Sequence, residues 1–307
     1  MNRHAFVLRL AAMISIVVTG TPLRAQQKQI ENLQPPSHMV AAREYPWSAV
    51  GKLNNGVFGS CTAVLISPRY ALTAAHCLFF RSTARFLPAQ SFHLVLGFES
   101  DQFREHLRIS AYYVPPTYDP LRPFESFASD WALLSISSET QPATQPLEIA
   151  RQVNSTPAPN LMTAGFSSRT PYRMTADHEC HIVGRSRDGG LLYDSCQAPE
   201  GYSGGPLLVQ NADKQSFSVA GIHVGRQAWQ GRSVTIAVSA ETIWHEIKPC
   251  IENHECQFQY FATGRDPTAA DILAGLPNLG FRKVIELLPE PLCSNNDPAC
   301  GTALAGP

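Results

Sequence analysis

Apolar residues along this chain come in short runs of strand length, set apart by turn residues, and not in the three-to-four spacing of amphipathic helices. Cys61–Ile66, Tyr70–Ala74, Phe92–Leu96 and Leu107–Val114 form one group, with Ser67-Pro68 breaking the first two apart. Leu161–Ala164, Leu207–Val209, Phe217–Ile222 and Val234–Val238 repeat the style in the second half. Many short strands without alternating helices predict an all-β architecture. The period changes after Val238: Ser239-Ala240-Glu241-Thr242 has the form of a helix start, and Ile243, Trp244 and Ile247 follow at helical spacing. A helix is therefore expected to close this region.

The two ends read differently from the middle. Residues 1–25 carry a short polar, basic start, an apolar run from Ala5 to Val18 broken by Arg9 and Ser15, and then Leu23-Arg24-Ala25. That is the layout of a secretory signal peptide. Its uninterrupted apolar part falls short of the ~20 residues that a membrane-spanning helix needs. Export to the periplasm or the exterior is expected, with no membrane attachment after cleavage. Residues 26–43 are polar and proline-containing and read as a leader or propeptide. Residues 44–248 hold the strands and the closing helix, and residues 249–307 form a cysteine-containing extension. There Asp266-Pro267, followed by Ala269, Ala270, Ile272 and Leu273 before Gly275, predicts one helix, and Arg282–Leu288 a second. The expectation is a small, disulfide-tied α-helical tail.

At 307 residues and 44% hydrophobic content, the chain can bury a full core. A formal net charge of −1 and the absence of long like-charge runs give no electrostatic reason to expect nucleic acid or an anionic membrane as partner. Eight cysteines, an even number, suit an oxidising destination.

Three segments carry candidate chemistry: Thr73-Ala74-Ala75-His76-Cys77, then Ser129-Asp130-Trp131-Ala132-Leu133-Leu134, then Gly201-Tyr202-Ser203-Gly204-Gly205-Pro206. A serine hydroxyl is a poor nucleophile until a base takes its proton, and that base needs an acid to hold its tautomer. Glycines on both sides of Ser203 suit a sharp turn that exposes the hydroxyl. In order and in flanking residues these segments resemble the trypsin-like (chymotrypsin-fold) serine proteases. The resemblance spans roughly Tyr45 to Lys248 and includes Tyr45-Pro46-Trp47-Ser48-Ala49-Val50. Asp130-Trp131-Ala132-Leu133-Leu134, Tyr193-Asp194 and Gly221-Ile222-His223 are similar to the bacterial glutamyl-endopeptidase-like branch.

This resemblance implies two antiparallel six-stranded β-barrels with the site in the cleft between them. It implies Ser203 as nucleophile, His76 as base, Asp130 as orienting acid, and the backbone N–H groups of Gly201 and Ser203 as the oxyanion hole. Substrates would be proteins or peptides, handled by a monomer without cofactor or metal. The family's histidine-loop disulfide falls on Cys61 and Cys77, where it would add about 3 kcal/mol by chain entropy. Cys180 and Cys196 bracket the loop before the nucleophile and are expected to pair, which leaves His178 and His181 short of a four-ligand zinc site. Cys250, Cys256, Cys293 and Cys300 allow three pairings, among which the sequence does not choose.

Two departures stand out. Tyr202 occupies the position where the digestive members carry an aspartate that captures a new N-terminal ammonium, and tyrosine forms no such ion pair. No Ile-Val-Gly-Gly activation sequence precedes the domain either. Gln197 replaces the aspartate by which trypsin reads Arg and Lys. Gln197, Ala198, His223, Val224 and Gly225 are the expected substrate contacts, with His223 placed by the resemblance to meet an acidic side chain before the scissile bond. Two other readings compete. Tyr202 could accompany a malformed oxyanion turn in a catalytically silent homologue used for binding. Gly-x-Ser-x-Gly also fits an α/β-hydrolase esterase, with Asp213 or Asp271 and His223, His245 or His254 following the serine. No βαβ alternation precedes Ser203, however, and His76 would then have no role.

Overall fold

The computed structural model describes residues 38–55, 60–151, 160–229 and 232–253. The expected signal peptide, residues 26–37 of the expected leader, the tail helices and Cys256, Cys293 and Cys300 lie outside the described residues.

The first half is a closed antiparallel barrel. Its strands are Val50–Asn54 (β1), Ser60–Ser67 (β2), Tyr70–Thr73 (β3), His93–Leu96 (β4), Glu105–Tyr113 (β5) and Ala132–Ile136 (β6), joined in the order β1-β2-β3-β6-β5-β4. Strand β5 shows why the sequence pattern worked: Leu107 and Ile109 turn inward and are buried, while His106, Arg108 and Ser110 alternate outward. Leu65, Leu72, Leu94, Leu96, Leu133 and Leu134 are buried in the hydrophobic core, each worth about 1.5–3 kcal/mol when fully buried. Closure leaves no strand edge exposed.

The second half departs from the expected closed barrel. Leu161–Gly165 (β7), Thr175–Cys180 (β8), Ile182–Arg185 (β9), Leu191–Asp194 (β10), Pro206–Gln210 (β11), Phe217–Trp229 (β12) and Arg232–Ser239 (β13) run in the order β8-β7-β11-β12-β13-β10-β9. His38–Met39 adds to the outer side of β8, and Glu148–Ile149 pairs in parallel with β12. The two ends of this path, β8 and β9, are consecutive in the chain with only His181 between them. Consecutive Cα atoms lie about 3.8 Å apart, so the sheet must curl until its ends meet. It is a barrel in curvature with one seam that strand pairing does not close. The disulfide between Cys180 and Cys196 ties the end of β8 to the segment after β10.

The predicted helix is Ala240–Asn253 (α1), with Ala240, Ile243, Ile247 and Cys250 buried on one face. It runs through Pro249 and past Lys248, where the sequence pattern placed the end of the domain. Cys250, fully buried, packs this last turn into the core. Among the described residues no helix is long and apolar enough to cross a membrane.

Candidate active site

Strands β3 and β6 are neighbours, with Thr73 opposite Ala132. The residues that leave β3 and those that enter β6 therefore share one end of the barrel. His76 sits in the single 3-10 turn Ala75–Leu78 directly after β3, and Asp130 follows the turn Phe127–Ser129 just before β6. Asp130 is fully buried and accepts two hydrogen bonds from His76, one from the backbone N–H at 2.9 Å and one from Nδ1 at 2.7 Å. A carboxylate only accepts, so the Nδ1 proton is fixed there and Nε2 is left as the basic nitrogen. The His76 side chain is 26% exposed, enough to meet a substrate. A disulfide between Cys61 on β2 and Cys77 pins the adjacent residue.

Ser203 reaches the same place from the second half. Its carbonyl oxygen accepts from the Thr62 N–H of β2 at 2.9 Å and lies 3.7 Å from Cys77 Sγ. Its hydroxyl forms no hydrogen bond with the imidazole among the described residues; such contacts often tighten only when substrate is bound. The turn needs its glycines. Gly201 has φ +98°, and a Cβ there would sit 2.2 Å from the Phe166 carbonyl oxygen; at Gly204, with φ +79°, it would sit 2.1 Å from Thr73 Oγ1.

The backbone around Ser203 is held from outside. Ser168 N–H donates to the Glu200 carbonyl at 2.8 Å, and Thr62 Oγ1 donates to the Gly201 carbonyl at 2.9 Å. In a trans peptide the N–H points opposite to the preceding carbonyl, so the Gly201 N–H faces away from Ser168. The N–H groups of Gly201 and Ser203 donate to no acceptor among the described residues. Tyr202 is 1% exposed, and its hydroxyl donates to the Thr175 carbonyl oxygen. That neutral anchor stands where the digestive relatives use an ion pair. Burial pushes the Tyr202 phenol well above its ordinary pKa, which keeps it a donor.

Beside Ser203 lies a cleft of about 330 Å³. Ala198, His223 and Gly225, three of the substrate contacts that the resemblance implied, are on its lining. Gln197 and Val224 are not on its lining; the Gln197 N–H donates to Asp177 Oδ2 at 2.8 Å, and the Val224 side chain packs in the hydrophobic core. The register of β12 against β13 shifts between His223 and Gly225, and such bulges re-aim side chains near functional clefts. Arg226 and Thr235 also line the cleft, and the sequence reading passed over both. A buried second pair lies at its floor, with His223 Nε2 3.1 Å from Asp194 Oδ2 and Nδ1 3.1 Å from Thr163 Oγ1. Cys61 and Cys77 beside His76, and Cys196 beside Asp194 and His223, form compact groups of the kind that bind metals. Their sulfurs are in disulfides, which removes the thiolates that a metal would need.

The family model named Trypsin matches residues 36–245. The chain belongs to the trypsin family. A solved structure described as "Structure of Glu endopeptidase in complex with MPD" is similar to it at a TM-score of 0.55 and 16% sequence identity, over 71% of this chain and 96% of that one. As a trypsin-family member the chain is a serine endopeptidase, a hydrolase of proteins or peptides. The competing α/β-hydrolase reading required a mostly parallel sheet, yet β1 to β13 pair with one another only antiparallel. Its candidate acid, Asp213, is spent within an exposed turn on Ser216 and Gln215.

Proposed function

We propose that this trypsin-family protein is an exported endopeptidase that works through an acyl-enzyme on Ser203. His76 Nε2 takes the hydroxyl proton as Oγ attacks the peptide carbonyl, and Asp130 holds the ring and stabilises the imidazolium. The Gly201 and Ser203 N–H groups receive the oxyanion, a contribution worth about 3–4 kcal/mol per donor in comparable sites. His76 then returns the proton to the leaving amine, and water, deprotonated by the same nitrogen, releases the acid. The observation that carries this reading is the two-point hold of Asp130 on His76 beside the Ser203 turn. The uncommitted N–H groups of that turn weigh against a catalytically silent homologue, because Tyr202 anchors the loop where a malformed one was the concern.

An endopeptidase also needs room beyond its primary pocket. The loop that leads into Asp130 offers Leu121 and Phe124, 63% and 78% exposed, beside a hollow of about 570 Å³ that Phe79 also lines. A substrate preference for an acidic residue before the scissile bond is the finer part of the proposal. It is supported by the cationic Arg226 on the cleft and by the likeness to a Glu endopeptidase. A fluorophosphonate probe is expected to label the purified protein, and Ser203→Ala to abolish both labelling and casein cleavage. Cleavage that survives this substitution would overturn the assignment.

A further inference from the structure

We propose that Arg226 is the residue that reads the acidic side chain, and that His223 is locked to Asp194 and does not touch the substrate carboxylate. This rests on the endopeptidase reading above. The Thr163 hydroxyl has one proton, and the Pro206 carbonyl oxygen, 2.9 Å away, can only accept it. The 3.1 Å contact between Thr163 Oγ1 and His223 Nδ1 must then be a bond in which the ring donates. On the other side Nε2 faces Asp194 Oδ2, another acceptor. Both ring N–H groups are therefore spent inside the protein. His223 is 2% exposed and Asp194 fully buried, and Asp194 Oδ1 also accepts from the Cys196 N–H at 3.0 Å. The two form a buried pair with no net charge and no donor to spare.

The rest of the floor offers nothing better. Thr235 Oγ1 gives its proton to the Cys196 carbonyl at 2.6 Å, and Ala198 carries no polar side-chain atom. Arg226 differs on every count. It lines the cleft, is exposed, and makes no ion pair among the described residues. Its planar fork of donors matches a carboxylate in two-point geometry. Glu200, the acidic side chain on the lining, is turned onto Ser168 Oγ at 3.4 Å.

The test compares peptides that differ only in Glu or Gln before the scissile bond, hydrolysed by wild type, Arg226→Gln and Arg226→Lys. The ratio of kcat/KM values within one preparation does not depend on how much enzyme is active. Wild type is expected to favour Glu, and Arg226→Gln to lower that ratio by about tenfold or more, the scale of a hydrogen bond to a charged group. Arg226→Lys should restore part of it. The wild-type ratio should also fall as salt rises towards roughly 1 M, because an exposed cation is screened where a buried pair is not. An unchanged ratio in Arg226→Gln would overturn the proposal. So would a wild type that cleaves both peptides equally, and in both cases fluorophosphonate labelling would leave the endopeptidase reading standing. Wild type that neither labels nor cleaves would remove both.

Discussion

The molecule holds two histidine–carboxylate pairs, and they are built to opposite ends. His76–Asp130 stands at the open end of the first barrel, with one ring nitrogen held and the other free. His223–Asp194 sits inside the second sheet with both nitrogens held. Their Nδ1 and Nε2 contacts to the carboxylates, at 2.7 Å and 3.1 Å, are of one kind. The difference lies in the uncommitted nitrogen and its access to the cleft. A base must have a lone pair to offer, so proximity of histidine and aspartate alone does not make a catalytic site.

The largest expected effect separates the two pairs directly. Asp130→Asn keeps the shape but lets the ring take the wrong tautomer, and kcat is expected to fall by about 10⁴-fold. Asp194→Asn should act on stability. It leaves one member of a buried charged pair without its partner, at a cost of about 3–5 kcal/mol, read from urea unfolding. Folded Asp194→Asn should still be labelled at Ser203 by the fluorophosphonate. If Asp194→Asn were stable and lost the 10⁴-fold instead, the roles of the two pairs would be exchanged.

This contrast also marks what the chain reveals before it folds. Ser203, His76 and Asp130 could be proposed from the sequence because each lies in a short segment whose order and flanking residues resemble one family. The partnership of His223 with Asp194 was not legible. The two are 29 residues apart and meet only because β10 and β12 both pair with β13, with Asp194 opposite Thr235 and His223 opposite Ala237. An aspartate ending the apolar run Leu191-Leu192-Tyr193 was the one available hint. The fold divides in the same way. Strands that alternate or are rich in aliphatic residues, such as β2, β4 and β5, could be read directly. Strands β8, β9 and β10 interrupt or end their apolar residues with Asp177, His178, Glu179, Arg185 and Asp194, and they went unseen. The unclosed seam of the second sheet falls between two of these.

A smaller effect tests the proton count. Thr163→Val removes the acceptor for the His223 Nδ1–H while keeping the side-chain shape, and an unsatisfied buried donor costs about 1–3 kcal/mol. Stability should drop by that order in urea, and nitrogen NMR of the wild type should show protons on both ring nitrogens of His223. An Nδ1 without a proton would return a free donor or acceptor to the pocket floor and blunt the contrast between the pairs.

The smallest effect concerns the turn that lies between the two sites. Tyr202 holds the nucleophile loop through a hydrogen bond to the Thr175 carbonyl, and Thr175 also pairs with Gly165 in the β7–β8 ladder. Losing the hydroxyl in Tyr202→Phe leaves that carbonyl short of one donor and also removes the acceptor of the Thr175 hydroxyl, 2.7 Å away, so the expected cost is about 1–2 kcal/mol. Thr62 Oγ1 on Gly201 and Ser168 N–H on Glu200 remain to hold the oxyanion turn, so kcat/KM should stay within about tenfold, a margin of about 1.4 kcal/mol. A loss comparable to that of Asp130→Asn would mean that the phenol alone keeps the Gly201 N–H aimed into the cleft. The nucleophile loop would then depend on the second sheet as strictly as His76 depends on Asp130.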